Sequence, residues 1–456
     1  MKRKLLVFAL LVLSSVGSYA SHLMGGQITS RNIGGLTYEV TLTAYRDTLG
    51  IPINTISTFH FADANSAWMQ DDIVNLSAPS VFGNGVEEYT YTDTITFPAS
   101  GTYQIWYEDC CRNGALLNIM PNSFYLNNTL MVDSTNSSPV FLNPPIPIAQ
   151  LNTAFNYNSL PYDADGDSLS WSLDIPLDAG GVNSSGYSLP SSDTSMPFSI
   201  NTATGEISFL PNLAGHFQVS VLVSEYRGGV KIGEIRRDMQ IIVLSSANAP
   251  VVATANSNTF PFNGKNYNIN IGSVFTLTVT GYDADNSTVD ISADGAPFQF
   301  VSNPASFTST TSLGTAMGVF TWSPTAIQAR TSPYIMCVRL MEEYGGSYFA
   351  SDITYSLRVG NFTGIVDQIK ADAISSIYPN PAKGNFALEL TIKKAGTATY
   401  RVRNLIGEQV AINTIGVNEG VNVIAINNLH LQSGKYFISL EQDGITTAVK
   451  GFEVTR

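Results

Sequence analysis

Residues 36–47 read LTYEVTLTAYRD, with an apolar or aromatic side chain at every second position. That alternation puts one face of a strand in a core and the other in solvent. The segments YTYTDTITF (89–97) and GTYQIWYEDCC (101–111) repeat the pattern. Runs with helical spacing are scarce, so the chain is expected to be built from strands. Clusters of Asn, Ser and Pro interrupt it at DSTNSSPVFLNPP (133–145) and SSANAPVV (245–252). Such clusters mark boundaries between packed segments. A third, linker-like stretch is NFTGIVDQIKADAISS (361–376).

The two middle segments are copies of one another. YDADGDSL (162–169) matches YDADNSTV (282–289). GEISFLP (205–211) matches GVFTWSP (318–324), and VSVLVSEYRGG (219–229) matches IMCVRLMEEYGG (335–346). Three blocks in one order, each unit about 110 residues long with short strands and turn signals, predict β-sandwiches in tandem. The expected fold class is therefore all-β, with sandwich domains in a row. Its segments are a leader (1–20), an N-terminal β-module (21–135), two sandwiches (136–246 and 247–360), a linker (361–374) and a C-terminal domain (375–456).

The leader changes the expected compartment. MKRK is a basic start, LLVFALLVL an apolar run, and Ser18-Tyr19-Ala20 a small-x-small cleavage site after Ala20. The apolar run is shorter than the roughly 20 residues a membrane helix needs, so no transmembrane segment is expected. Without the three leader cations the net charge moves from −13 to −16, while residues 375–456 carry +2. An acidic body of this kind argues against nucleic acid as a partner. The three cysteines are Cys110, Cys111 and Cys337. An odd number in an exported chain predicts a free thiol or an intermolecular bond.

The loop YDADGDSLSW (162–171) carries the densest chemistry. Its carboxylates stand at alternate positions, as calcium loops require, yet Asp and Gly in this order also build plain turns. An EF-hand would want Gly at position six, where Ser168 stands, and flanking helices. General acid–base catalysis needs two carboxylates facing each other across a cleft, which nothing in the pattern indicates. Calcium and a simple turn remain the two readings. No Gly-x-Ser-x-Gly, His-Glu-x-x-His or phosphate-loop motif occurs, and the chain is not expected to be an enzyme.

Residues 133–246 resemble cadherin-like and immunoglobulin-like bacterial surface domains, through DSTNSSPVF, DADGDSL and FSINTATGEISFLP. The resemblance implies calcium held between consecutive domains by Asp133, Asn136, Asp163, Asp165 and Glu225, with Asp167 as a further oxygen donor. The second copy keeps Asp283 and Asp285 but has Asn286 and Ser287 in place of Gly166 and Asp167. Residues 375–456 resemble the type A C-terminal sorting domain of type IX secretion, through SIYPNPAKGNFALEL, YRVRNLIGEQV, LQSGKYFISLEQDG and VKGFEV. The sorting residues implied are Tyr378, Pro379, Asn380, Pro381, Gly434, Tyr436 and Lys450. The implied partners are the type IX machinery and, after removal of the tail, a cell-surface lipopolysaccharide. The implied location is the outer surface of a Gram-negative cell or the medium. The N-terminal region, with EDCCRNGALLNI (108–119), resembles the opening module of gliding-associated surface proteins.

These readings predict a non-enzymatic modular surface protein with an adhesive or structural role toward a glycan or protein ligand. The alternative is a carbohydrate-binding accessory to a surface enzyme, with Trp68, Trp106 and Tyr107 as candidate stacking rings.

Overall fold

The computed structural model describes residues 22–455 apart from 78, 84, 121–122, 259–264, 363–372, 384, 393–394, 405–407, 428, 430 and 443–444. Cleavage at Ala20 and most of the 361–374 linker lie outside the described residues. Among those described, the only helical segments are three short 3₁₀ turns, at 179–181, 296–298 and 326–328. The chain divides into two compact units, one ending at Gly360 and one beginning at Asn361.

The first unit contains three large cores and a smaller cluster of Met24, Tyr45, Val86, Ile146, Ile148, Ile242 and Phe349 drawn from all three segments. The N-terminal core lies under Thr37–Asp47, Val86–Thr96, Gly101–Asp109 and Phe124–Val132. Phe124–Val132 alternates buried and half-buried along its whole length, as period-two patterning requires. The second core gathers Trp171, Phe209, Val221, Met239 and their neighbours. The third lies between two four-stranded sheets and includes Phe275, Phe320, Trp322 and Tyr355.

The boundary near residue 135 is not a hinge. Val230–Leu244 pairs with Gly215–Arg227 along one edge. Along the other it pairs with Phe124–Val132, Gly233 opposite Leu130, and meets Leu23–Gly34 at Gly26 opposite Asp238. One strand thus belongs to both the N-terminal module and the sandwich after it. Beside it, Arg112 and Asp238 form an ion pair of 2.5 Å with both side chains fully buried. Removing one member of such a pair would strand a buried charge, so the pair fixes how the two modules meet. Gly25 and Gly26 are required here, because a Cβ on either would lie 2.5 Å from a backbone oxygen of the neighbouring strand. The next junction is also tied: Asp352 accepts Asn158 N at 2.9 Å and Arg339 Nε at 2.7 Å.

The second unit packs a three-stranded sheet against a four-stranded one around Phe386, Leu388, Val402, Ile438 and Phe452.

Cys110 and Cys111 are joined to each other, and Cys337 is a buried free thiol. The odd count therefore leaves one buried thiol on Arg330–Tyr344, on the face turned away from Met336 and Val338 of the third core.

Candidate metal centre and sorting tail

Two turns place the carboxylates. In loop 162–169, Asp163 Oδ1 accepts the backbone N–H of Asp167 at 2.8 Å, and Gly166 takes a left-handed φ of 87°. Strand Ser168–Asp174 then leaves the loop and pairs with Gly215–Arg227, putting Leu169 opposite Glu225. That register swings Glu225 under the loop. Asp163, Asp167 and Glu225 each offer an oxygen within 4.8 Å of the others. Gly233 makes the space, since a Cβ there would lie 2.7 Å from Glu225 Oε2.

Glu225 is fully buried and both its carboxylate oxygens lack a hydrogen-bond partner. Asp163 is 7% exposed and its Oδ2 is likewise without one. Burial, then the nearby Asp163 and Asp167 charges, push the Glu225 carboxyl far above the usual range. Burial raises Asp163 to about 6, although the Asp167 amide bond works against it. Buried carboxylate oxygens without donors carry a large desolvation cost that a proton or a cation relieves. A hard divalent cation with oxygen ligands fits this donor set.

The other three residues of the implied ligand set are engaged in hydrogen bonds of their own. Asp165 Oδ2 accepts Ser137 N at 2.5 Å and so ties the loop to the linker. Asp133 Oδ1 accepts Thr135 N and Asn136 N, both at 2.7 Å, in an Asx turn. Burial raises the Asp133 carboxyl, but these amide bonds outweigh it and hold it below its ordinary value. Asn136 Oδ1 accepts Arg227 Nη2 at 2.8 Å. Arg227 also bonds Asp167 at 2.5 Å and lies 3.4 Å from Asp133. The Arg227 guanidinium thus bridges Asp133, Asn136 and both carboxylate oxygens of Asp167. Arg227 is the residue that sequence reasoning missed. Its signal was its position directly before Gly228-Gly229, where the copy has Tyr344 before Gly345-Gly346.

Of the three rings considered for sugar stacking, Tyr107 is in the core at 2% exposure. Trp68 packs edge-on against Phe97 and Tyr103. Trp106 stacks on His60 at 5.2 Å, on the sheet face opposite the core.

In the second unit, the Tyr378–Pro381 entrance is stitched to the last strand. Asn380 Oδ1 accepts Glu453 N at 2.8 Å, and Ala382 N donates to Glu453 O at 2.8 Å. Tyr436 is buried against Phe452 and donates to Gln432 O at 3.0 Å. Lys450 Nζ donates to Ile374 O at 3.4 Å. Gly434 opens the strand Gly434–Gln442.

Residues 376–452 match the secretion system C-terminal sorting domain family. The tail is thus a type IX sorting domain, and that defines the class: a chain handed to the type IX secretion machinery. The protein is a secreted or outer cell-surface protein of the Bacteroidota. Among the described residues no helix is long and apolar enough to cross a membrane.

Over 153 residues the chain is 29% identical to Integrin beta-like protein A of Dictyostelium discoideum, a match covering 31% of this chain and 7% of that protein. The chain thus spans a small part of that relative's length. Among solved structures, the N-terminal four immunoglobulin domains of Dscam1 align over 95% of this chain and 99% of theirs, at 11% identity and TM-score 0.18. The zebrafish RET cadherin-like domains 1 to 4 align over 96% of this chain and 97% of theirs, at 10% identity and TM-score 0.17.

Proposed function

We propose that this chain is a non-enzymatic scaffold of the cell surface with an adhesive or structural role, its first inter-domain junction completed by calcium. The supporting observation is the Val230–Leu244 strand shared by two modules, with the buried Arg112–Asp238 pair beside it. A shared strand resists bending where a free linker would yield, which suits a part that carries load or holds a binding face at a fixed angle. Calcium would sit at Asp163, Asp167 and Glu225, where it relieves the Asp163 and Glu225 oxygens that otherwise lack partners. After export the tail is removed, and the body is attached to surface lipopolysaccharide or released.

Cells with type IX secretion that display the full chain test this reading against the same cells without it. Greater attachment to glycan-coated or cell-coated surfaces, reduced by chelator, is expected; equal attachment removes the adhesive role. A second reading, carbohydrate binding in service of a surface enzyme, draws on the outward Trp106–His60 stack. Glycan binding that Trp106→Ala abolishes would favour it.

A further inference from the structure

A small cleft of about 70 Å³ opens beside the acidic trio, between the second and third sandwiches. Asp163, Asp167 and Trp171 line one side, and Arg330, Pro333 and Ile335 the other. It is far smaller than the roughly 300–1,000 Å³ of sites that enclose a whole small molecule, so it suits a terminal group.

Arg330 is held in place before any ligand arrives. Its Nε donates to Ser332 O and its Nη2 to Pro333 O, each at 3.1 Å. Its guanidinium carbon lies 3.7 Å from the centre of the Tyr334 ring. Among the described residues Nη1 has no hydrogen-bond partner. Trp171 is 5% exposed, and its Nε1–H also lacks one. The Trp171 Nε1–H packs against Gly205, so the preorganised donor on this cleft is the Arg330 guanidinium, and the cleft's other polar wall is Asp163 and Asp167 of the trio.

We propose that this cleft binds a carboxylate, with one end on a divalent cation held by Asp163, Asp167 and Glu225 and the other on the Arg330 guanidinium. The inference rests on the metal reading above. Calcium takes six to eight oxygens, and three side chains leave positions for oxygens from outside. Asp163 already accepts the Asp167 amide and Asp167 already bonds Arg227, which further limits what the protein supplies. The open positions face the cleft because Asp163 and Asp167 line it, while Glu225 closes the site from below. Without the cation, those two aspartates repel an incoming anion. The carboxylate therefore binds second, and chelator abolishes its binding. A fixed guanidinium loses little freedom on pairing, and carboxylate is the group its planar N–H geometry matches.

Calorimetry on the full chain tests this in two stages. Calcium is titrated first, in buffer free of carboxylates. Glucuronate, acetate and glucose are then titrated with calcium present and again with chelator. The expected result is glucuronate binding that needs calcium and weakens at least about tenfold in Arg330→Met, the size of a lost charge-assisted hydrogen bond. Arg330→Lys, which keeps the charge but not the fork, should weaken it less. Acetate binding as well as glucuronate assigns the site to the carboxylate alone, and a preference for glucuronate assigns it to a sugar acid; both uphold the proposal. Calcium binding with no carboxylate binding overturns this proposal and leaves the metal reading standing. Glucose binding equal to glucuronate, or glucuronate binding indifferent to chelator, also overturns it. Absence of calcium binding overturns the metal reading and this one with it.

Discussion

In loop 162–169, Asp167 N donates to Asp163 and Ser137 N to Asp165; in loop 282–289, Ser287 N donates to Asp283 and Ala249 N to Asp285. The two turns and their ties to the preceding linker are the same. Each loop also has an acid under it, Glu225 or Glu342, three residues ahead of a Gly-Gly hairpin. The difference is in what meets that acid. Glu342 Oε1 accepts the Asn248 side-chain amide at 2.5 Å, and Ser287 stands where a third carboxylate would be. At the first junction the matching asparagine, Asn136, donates its side-chain amide to Met131 O at 3.1 Å and accepts from Arg227, so Glu225 is left without a donor. One scaffold therefore gives a buried acid with an amide donor in one place and a buried acid without a donor in the other. The loop backbone is shared, and the side chains that differ include Asp167 for Ser287 and Arg227 for Tyr344.

Calcium separates the two junctions most strongly. At about a hundred times its dissociation constant, a ligand bound only by the folded state adds about 2.7 kcal/mol. Thermal melting of the full chain with calcium and with chelator should show that gain. Glu225→Gln should remove it, and Glu342→Gln should leave it in place. A calcium shift that survives Glu225→Gln, or that vanishes in Glu342→Gln, breaks the distinction.

Much of this was legible from local pattern. Period-two runs marked the strands, the repeated YDAD loops marked the two copies, and the tail carried its motifs in order. Asp163, Asp167 and Glu225 could be named because the loop and the SEY strand each recur beside a recognisable turn. The failures were all matters of long-range pairing. Nothing local says that Val230–Leu244 will be claimed by two modules, since that depends on which edge stays open once each core closes. Nor does spacing show that Arg227 reaches Asp133 and Asn136 across more than 90 residues of chain. The cadherin resemblance implies Asp133 and Asn136 as calcium ligands, and nothing in that motif points to Arg227.

A smaller contrast lies in the response of the second junction to pH. Glu342 is 3% exposed, its Oε2 has no partner, and burial raises its carboxyl from 4.5 to about 6 despite the Asn248 bond. A carboxyl raised in the folded state favours folding while protonated. Its contribution is fully present below pH 4.5 and is lost as pH rises through about 6. The shift corresponds to about 2 kcal/mol. Denaturant melts in chelator should show wild type losing up to that amount relative to Glu342→Gln between pH 4 and 7. A constant difference across that range would mean that the Asn248 amide already satisfies the carboxylate, and that the second junction is locked more completely than its orphan oxygen indicates.

The smallest effect tests whether the two loops share a backbone as closely as their hydrogen bonds indicate. Gly166 has φ 87° and Asn286, at the same place in the copy, has φ 59°. A Cβ on Gly166 would meet nothing within 4 Å, so a substitution there costs backbone strain and not a clash. Alanine resists a left-handed φ and should cost about 1 kcal/mol. Asparagine tolerates that region through its short polar side chain and should cost only a few tenths, about 0.3 kcal/mol. Gly166→Asn should also leave the calcium shift intact, because the residue donates no ligand and only sets the path from Asp165 to Asp167. If Gly166→Asn proved as costly as Gly166→Ala, the first loop would need a φ that only glycine supplies. Its loss in the copy would then count, beside the loss of the third aspartate, among the differences that set the two junctions apart.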